Sequence, residues 1–251
     1  MAKYSIGLDY GTLSVRALLV DITTGEEVGV SVFEYPHGVM ETKLSTGEKL
    51  PTNFALQHPQ DYIDGLIFTI QDVMEKSQIK PEEVVGIGID FTAATVMPAK
   101  ADGTPLCMCK EFEHEPHAYV KLWKHHGAEK EARYIDKVIE ERGENWISLY
   151  GGKVSSEWMV PKVLETLNNA PEVYKYVDRY MEAMDWVTWM LTGEETRSVN
   201  GLGYKAFYNY KTGFPSKEFF RAIDERMENF VEDKLNAPIK KIGETAGYLT
   251  E

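Results

Sequence analysis

Residues 5–21 read SIGLDYGTLSVRALLVD, and their reading decides the fold. An apolar run carries the chain to Asp9, Gly11-Thr12 forces a tight reversal, and a second run from Val15 to Val20 leads away. Strand, tight turn, strand is the pattern, with the polar residues gathered at the turn. Gly11 has no Cβ, so main chain there can approach a bulky anion closely. Thr12 and Ser14 add hydroxyl donors, Arg16 a forked cation, and Asp9 a carboxylate suited to hydrated Mg2+. Donors for phosphate and an acid for its metal point to nucleotide chemistry. The same residues also suit an ordinary hairpin whose Asp and Thr satisfy the turn backbone.

Working outward, Glu27–Tyr35 alternates as a third antiparallel strand after the turn Thr23-Thr24-Gly25-Glu26. Residues 36–51 are polar and glycine-punctuated, a loop. A helix is predicted from about Gln57 to Lys76, with Pro59 in its first turn and Tyr62, Leu66, Ile70 and Val73 near helical spacing. VVGIGID at 84–90 is a continuous apolar run of the kind that forms a buried strand, and 92–98 is predicted as the next strand. The order β-β-β-α-β-β, antiparallel then parallel, suits a ribonuclease H-like or actin-like α/β domain better than a nicotinamide-binding one. Further on the character turns helical: 116–141, 155–168, 171–180, 183–191 and 215–229 are predicted helices, and 198–210 a glycine- and aromatic-rich loop over a cleft. No repeat or linker interrupts the 251 residues, which gives one domain with a helical insertion.

The formal charge of −13 argues against nucleic acid or an anionic membrane as partner, since both need basic patches. The two cysteines, Cys107 and Cys109, are too close in sequence for an unstrained bridge, and a reduced cytoplasm fits them best. No secretion signal is visible and no apolar run reaches membrane-spanning length, so a cytoplasmic protein is expected.

Several familiar chemistries find no support. The P-loop pattern and the Gly-x-Ser-x-Gly elbow are both lacking. The glycines of GIGID lie within a strand, with no third glycine to open a helix. His114, His117, His125 and His126 gather near Glu113 and Glu115, but without zinc-ligand spacing, and a surface or cleft-lining group is expected. Lys205, in GLGYKAFY, is a lone lysine among glycines and aromatics. It offers a cation to a polyhydroxy ligand or phosphate, or else snorkels to water. Trp123 can stack on the apolar face of a sugar, although packing is the ordinary role of a tryptophan.

Taken together, residues 5–21 and the segments LQHPQDY (56–62), GIGIDFTAATVMP (86–98), VKLWKHHGAEKEA (120–132), YGGKVSSEWMVPKVLE (150–165), MDWVTWMLTG (184–193) and GYKAFYNYKTGFPS (203–216) resemble the FGGY carbohydrate kinases of the actin–hexokinase superfamily. DFTAAT and LWKHH set the chain apart from the glycerol and xylulose kinases of that family. The resemblance implies a ribonuclease H-like (actin/hexokinase-like ATPase) fold and ATP-dependent phosphorylation of the L-ribulose 5-hydroxyl, a step of L-arabinose catabolism. Asp9, Gly11, Thr12 and Arg16 match the family's phosphate and Mg2+ loop, with Ser14 as a helper and Asp9 toward the metal. Ala93 and Ala94 match the sugar-pocket segment, whose small side chains leave room for the ketose. Trp123 and Lys205 match sugar contacts, Asp90 is expected behind the contacting residues, and Asp185-Trp186 is expected to be structural.

The resemblance also implies an absence. The family's general base is an Asp in a glycine-rich segment expected just beyond Glu251, and residues 240–251 contain no Asp to take its place. No catalytic base is therefore assigned to this chain. The family's second, C-terminal domain, with most adenosine contacts, is likewise not represented. Because phosphoryl transfer depends on positioning, metal and an oriented nucleophile, the 251-residue chain alone is expected to show no turnover. Turnover above that of a Lys205→Ala control would contradict this. A non-catalytic sugar-binding or regulatory module and, behind it, an actin-like ATPase scaffold are the competing readings, and a homo-oligomer stays open.

Overall fold

The hairpin forms as predicted. β1 (Tyr4–Tyr10) and β2 (Ser14–Asp21) pair antiparallel, with Asp9 opposite Arg16 and Tyr10 opposite Val15. Strand periodicity sorts the side chains: Ile6, Leu8, Tyr10, Val15, Ala17 and Leu19 are buried, whereas Gly7, Asp9 and Arg16 face solvent. β3 (Glu27–Glu34) adds antiparallel to β2 across a turn that Asp21 closes, its carboxylate accepting from the Thr23 N–H at 2.7 Å. After the two-residue strand β4 (Leu56–Gln57), helix α1 (Gln60–Ser77) runs from Pro59 and buries Tyr62, Leu66, Thr69 and Val73, an i, i+4, i+7, i+11 stripe. β5 (Val84–Phe91) then lies parallel to β1, giving the order β3-β2-β1-β5.

The computed structural model describes residues 3–250, the side chain of Tyr204 excepted. Glu251, past which the general base is expected, lies outside the described residues. The described residues divide into two compact units: the chain up to Val39 with Gln57–Thr92, and Met40–Leu56 with the chain from Ala93 onward. In the first unit, α1 packs on one face of the sheet. The opposite face carries Gly7, Asp9, Arg16, Val30, Val32, Gly88 and Asp90 outward.

The second unit is built around β6 (Val96–Ala99), which lies between β7 (Val120–Lys121) and, after helices α2 (Glu129–Arg142), α3 (Met159–Asn169) and α4 (Pro171–Tyr176), β8 (Arg179–Glu182). Val96 therefore has Lys121 as its register partner on one side and Glu182 on the other. Beyond lie α5 (Ala183–Thr192), β9 (Arg197–Ser198), α6 (Val199–Lys205), α7 (Lys217–Ile223), α8 (Phe230–Lys234) and β10 (Ile239–Lys240), the last strand pairing parallel with β9. Ile135, Val163, Leu164, Phe219, Phe220 and Phe230 belong to its apolar core. No helix among the described residues is long and apolar enough to cross a membrane.

Six expectations are corrected. The helix predicted over 215–229 stops at Ile223, where Asp224 turns extended, and the run at 84–90 forms a strand that is not buried, Phe91 alone of β5 being so. The strand predicted over 92–98 begins only at Val96, because Ala94 sits at φ +62°, in the left-handed region that breaks a strand. The helix predicted over 116–141 is a single 3-10 turn at Pro116–Ala118, then β7, and becomes α-helical only from Glu129. Helix 171–180 stops at Tyr176, and residues 179–182 pair with β6 instead. The loop predicted from Ser198 opens as helix α6, whose first turn Ser198 caps by accepting from the Asn200 N–H.

Candidate functional site

In the first unit, the turn after β1 is closed by the Gly11 N–H donating to the Ser14 carbonyl at 2.9 Å. A Cβ at Gly11 would lie 3.2 Å from that same carbonyl, so the reversal is tight enough to favour glycine. The Thr12 carbonyl accepts from Gln57 Nε2 at 2.8 Å, and Gln57 Oε1 accepts from the Tyr62 hydroxyl at 2.7 Å. The turn is thereby anchored to the start of α1. Tyr62 packs edge-on against Tyr10 and Phe91, which stack on each other at 4.7 Å beneath the strand ends.

Of the predicted phosphate residues, Asp9 and Arg16 stand half exposed on the open face and pair with each other, Arg16 Nη1 to Asp9 Oδ2 at 2.9 Å. The guanidinium is therefore matched by a carboxylate. Gly11 and Thr12 are partly exposed at the turn, while Ser14 is buried and contributes its carbonyl. Asp90, expected behind the contacting residues, is exposed instead. Register places it beside Asp9, and both line the same shallow groove with Arg16, Gly7 and Gly88. The parallel pairing of β1 with β5 brings together these two acids, far apart in the chain, which local sequence spacing could not reveal.

The predicted sugar contacts belong to the second unit. Ala93 is exposed, but Ala94 is fully buried, so its methyl group lines no open pocket and its role is in the backbone. Trp123 lies in the turn after β7, 40% exposed, rather than on the predicted helix. Lys205 ends α6 half-buried, and its ammonium makes no hydrogen bond or ion pair with the described residues. Its charge acts on the buried Glu182 carboxyl.

The histidine group is not a surface cluster. His125 is fully buried and His117 nearly so. Lys121 Nζ donates to Glu165 at 2.6 Å, to Thr166 Oγ1 at 2.8 Å, to the Lys162 carbonyl at 3.0 Å and to His117 Nδ1 at 3.1 Å. His125 Nδ1 accepts from the Ala55 N–H, so its Nε2 carries the proton and donates to Glu165 at 2.8 Å. Burial depresses both imidazoles, to about 4 for His125 and, with the Lys121 charge adding to it, about 3 for His117. Burial alone would raise the Glu165 carboxyl, but the Lys121 ammonium and the His125 hydrogen bond hold it well below its ordinary value. His114, by contrast, is exposed and pairs with Glu48 and Glu113.

Sequence reasoning missed Lys162 and Glu182, both buried behind Ala94. Their only sequence signal is a charge inside an apolar stretch, MVPKVL and RYMEAM. Burial pulls the Lys162 ammonium down and pushes the Glu182 carboxyl up, each to about 7 and each opposed by the other's charge. Asp185 accepts from the Ser198 N–H at 2.9 Å and Trp186 donates to the Gly103 carbonyl at 2.8 Å, while Asp185 Oδ2 is buried without a hydrogen-bond partner among the described residues.

The chain is 48% identical over 250 residues to a ribulokinase of Geobacillus thermodenitrificans, covering 99% of this chain and 44% of that one. It is 48% identical over 240 residues to a ribulokinase of Bacillus licheniformis, covering 95% and 44%. The chain thus spans less than half the length of these curated relatives. Among solved structures, a gluconate kinase from Lactobacillus acidophilus superposes with TM-score 0.73 at 17% identity, over 100% of this chain and 44% of that one. A xylulose kinase from the same organism gives 0.72 at 17% identity, over 99% and 44%. At such identities the likeness is one of fold, and it is the fold of sugar kinases. The FGGY family of carbohydrate kinases, N-terminal domain, matches residues 4–249, all but the chain's extreme ends, and the chain belongs to that family.

Proposed function

We propose that this chain carries the phosphate-handling and sugar-contacting residues of a cytoplasmic, ATP-dependent kinase acting on the 5-hydroxyl of L-ribulose. The observation that carries the reading is the match to ribulokinases at 48% identity over 99% of the chain. In this reading Asp9 and Asp90 would hold Mg2+; one or two carboxylates are what that ion takes when substrate phosphates complete its shell. When bound, Mg2+ neutralises charge on the phosphate oxygens during transfer. Arg16 leaves Asp9 to pair with a phosphate, Gly11 lets the main chain approach it, the Thr12 hydroxyl donates to it, and Ser14 fixes the turn by accepting from the Gly11 N–H. Ala93 leaves room for the ketose, Trp123 covers its C–H face, and the Lys205 ammonium donates to its hydroxyls. The carboxylate that takes the 5-hydroxyl proton belongs, in this reading, to the family's segment past Glu251.

The test is calorimetric titration of L-ribulose into the chain and its variants. Lys205→Ala is expected to weaken binding by about 10- to 100-fold, the worth of a hydrogen bond to a charged group. Trp123→Ala is expected to weaken it by roughly tenfold through lost burial. Equal affinities in the unaltered chain and both variants would overturn the sugar assignment. Sugar binding that survives in Asp9→Asn is expected, because Asp9 serves phosphate and metal rather than sugar.

A further inference from the structure

Lys162 and Glu182 lie at the two ends of one peptide group. Lys162 Nζ donates to the Ala94 carbonyl at 2.7 Å, and Glu182 Oε2 accepts from the Thr95 N–H at 3.0 Å. That carbonyl and that N–H belong to the same peptide unit, which is therefore clamped on both sides. The clamp acts where the chain is strained, since Ala94 is a non-glycine residue at φ +62°. Lys162 uses its other two donors on the Leu122 carbonyl at 2.8 Å and the Lys121 carbonyl at 3.3 Å. Three donors meet three main-chain acceptors, and no carboxylate among the described residues lies within ion-pair distance of this ammonium. One buried cation thus joins the residue after Ala93 to the residue before Trp123.

A lysine 1% exposed is an expensive way to hold apolar packing together, because desolvation disfavours its charge. Glu182 is 2% exposed and its Oε1 has no hydrogen-bond partner among the described residues. Neither residue is needed to fill space that leucine or methionine would not fill. What they supply is orientation of a peptide plane and of two short segments. We infer that Lys162 and Glu182 are positioning residues, holding the 93–95 and 121–123 segments in the one backbone arrangement that presents Ala93 and Trp123 to the sugar. The inference rests on the sugar-site reading above.

The experiment compares the chain with Lys162→Met, Glu182→Met, Lys205→Ala and Trp123→Ala, each checked for folding by circular dichroism. L-ribulose affinity is read by calorimetry and local order by amide hydrogen exchange. Lys162→Met is expected to weaken L-ribulose binding at least tenfold, and to speed exchange in peptides covering 92–96 and 120–124 while leaving α2 and the first unit unchanged. Glu182→Met, which removes a single acceptor and relieves an unpaired buried oxygen, is expected to weaken binding at least threefold with the same local signature. It decides the matter if Lys162→Met does not fold. Affinities within twofold of the unaltered chain in a folded clamp variant, or exchange raised evenly across the second unit, would overturn the inference. If Lys205→Ala and Trp123→Ala still weaken binding, the sugar-site reading survives that failure; if they also leave it unchanged, the sugar-site reading falls first and the inference with it.

Discussion

Replacing Lys121 with methionine is expected to cost about 3–5 kcal/mol of stability, the usual consequence of stranding one member of a buried ion pair. The ammonium is the shared donor to Glu165, Thr166, His117 and the Lys162 carbonyl, and both charged side chains are almost wholly removed from water. Without it the Glu165 carboxylate keeps only His125 as a charged or polar side-chain donor among the described residues. For a chain of this size the loss corresponds to a fall in Tm of about 6–20 °C. The double variant Lys121→Met, Glu165→Leu is expected to recover much of it, because an apolar pair of similar volume carries no desolvation penalty. A single variant that costs under about 1 kcal/mol in urea denaturation would show that the network is incidental.

The same network makes stability depend on pH, with a definite sign. His117 and His125 titrate at about 3 and about 4 when folded, below the ordinary histidine value. Between about pH 4 and pH 6.5 these two groups bind more protons in the unfolded chain than in the folded one and make stability fall as pH falls, whereas Glu182 and Asp185, pushed up to about 7 by burial, act in the opposite sense. Unfolding at pH 5 is expected to take up about two protons through these groups, and His125→Gln to remove about one of them. Glu165 adds to the effect at lower pH, since its folded carboxyl is depressed and its contribution is lost only on strong acidification. Proton uptake on unfolding at about pH 5 that is the same in His125→Gln as in the unaltered chain would contradict the assignment of a neutral, buried imidazole.

Gly65→Leu is the second large effect, and it tests the first unit. A Cβ on Gly65 would lie 2.4 Å from Val15 Cγ1 and 3.0 Å from Phe33 Cδ1, so α1 rests on the sheet at this glycine. Overpacking of this kind costs about 1–3 kcal/mol per site and more when a whole side chain must be placed, against only about 1 kcal/mol gained from helix propensity. A net loss above about 3 kcal/mol is expected. Gly88→Ala is the matched control, because a Cβ there meets nothing within 4 Å, and its effect should stay within about 0.5 kcal/mol. If the two variants proved equally stable, the close approach of α1 to β2 and β3 would be wrong.

The elements that could be read from residues alone were those whose periodicity and ends are local. The hairpin around Gly11, the third strand, α1 beginning at Pro59 and the apolar strand at 84–91 all lie within a few residues of their expected places. The candidate turn residues were equally visible, since Asp9, Gly11, Thr12 and Arg16 sit within eight positions. The failures share one cause. Val120-Lys121 falls within a predicted helix, yet it forms a strand because Lys121 finds Glu165 44 residues away and Val96 offers an open edge. Residues 179–182 leave a predicted helix for the same sheet.

Sequence by itself determined the ribonuclease H-like order of the first unit, the phosphate-suited turn and the family, because each is written in short-range pattern and in motif identity. Only the tertiary structure decided that Asp90 stands beside Asp9, that two of the four clustered histidines are buried acceptors and donors rather than surface groups, and that Lys162 and Glu182 grip the Ala94–Thr95 peptide. Those facts depend on partners tens of residues apart and on the exclusion of water around them. A charge in an apolar stretch announces that it has a partner, but the closure of the chain chooses which one.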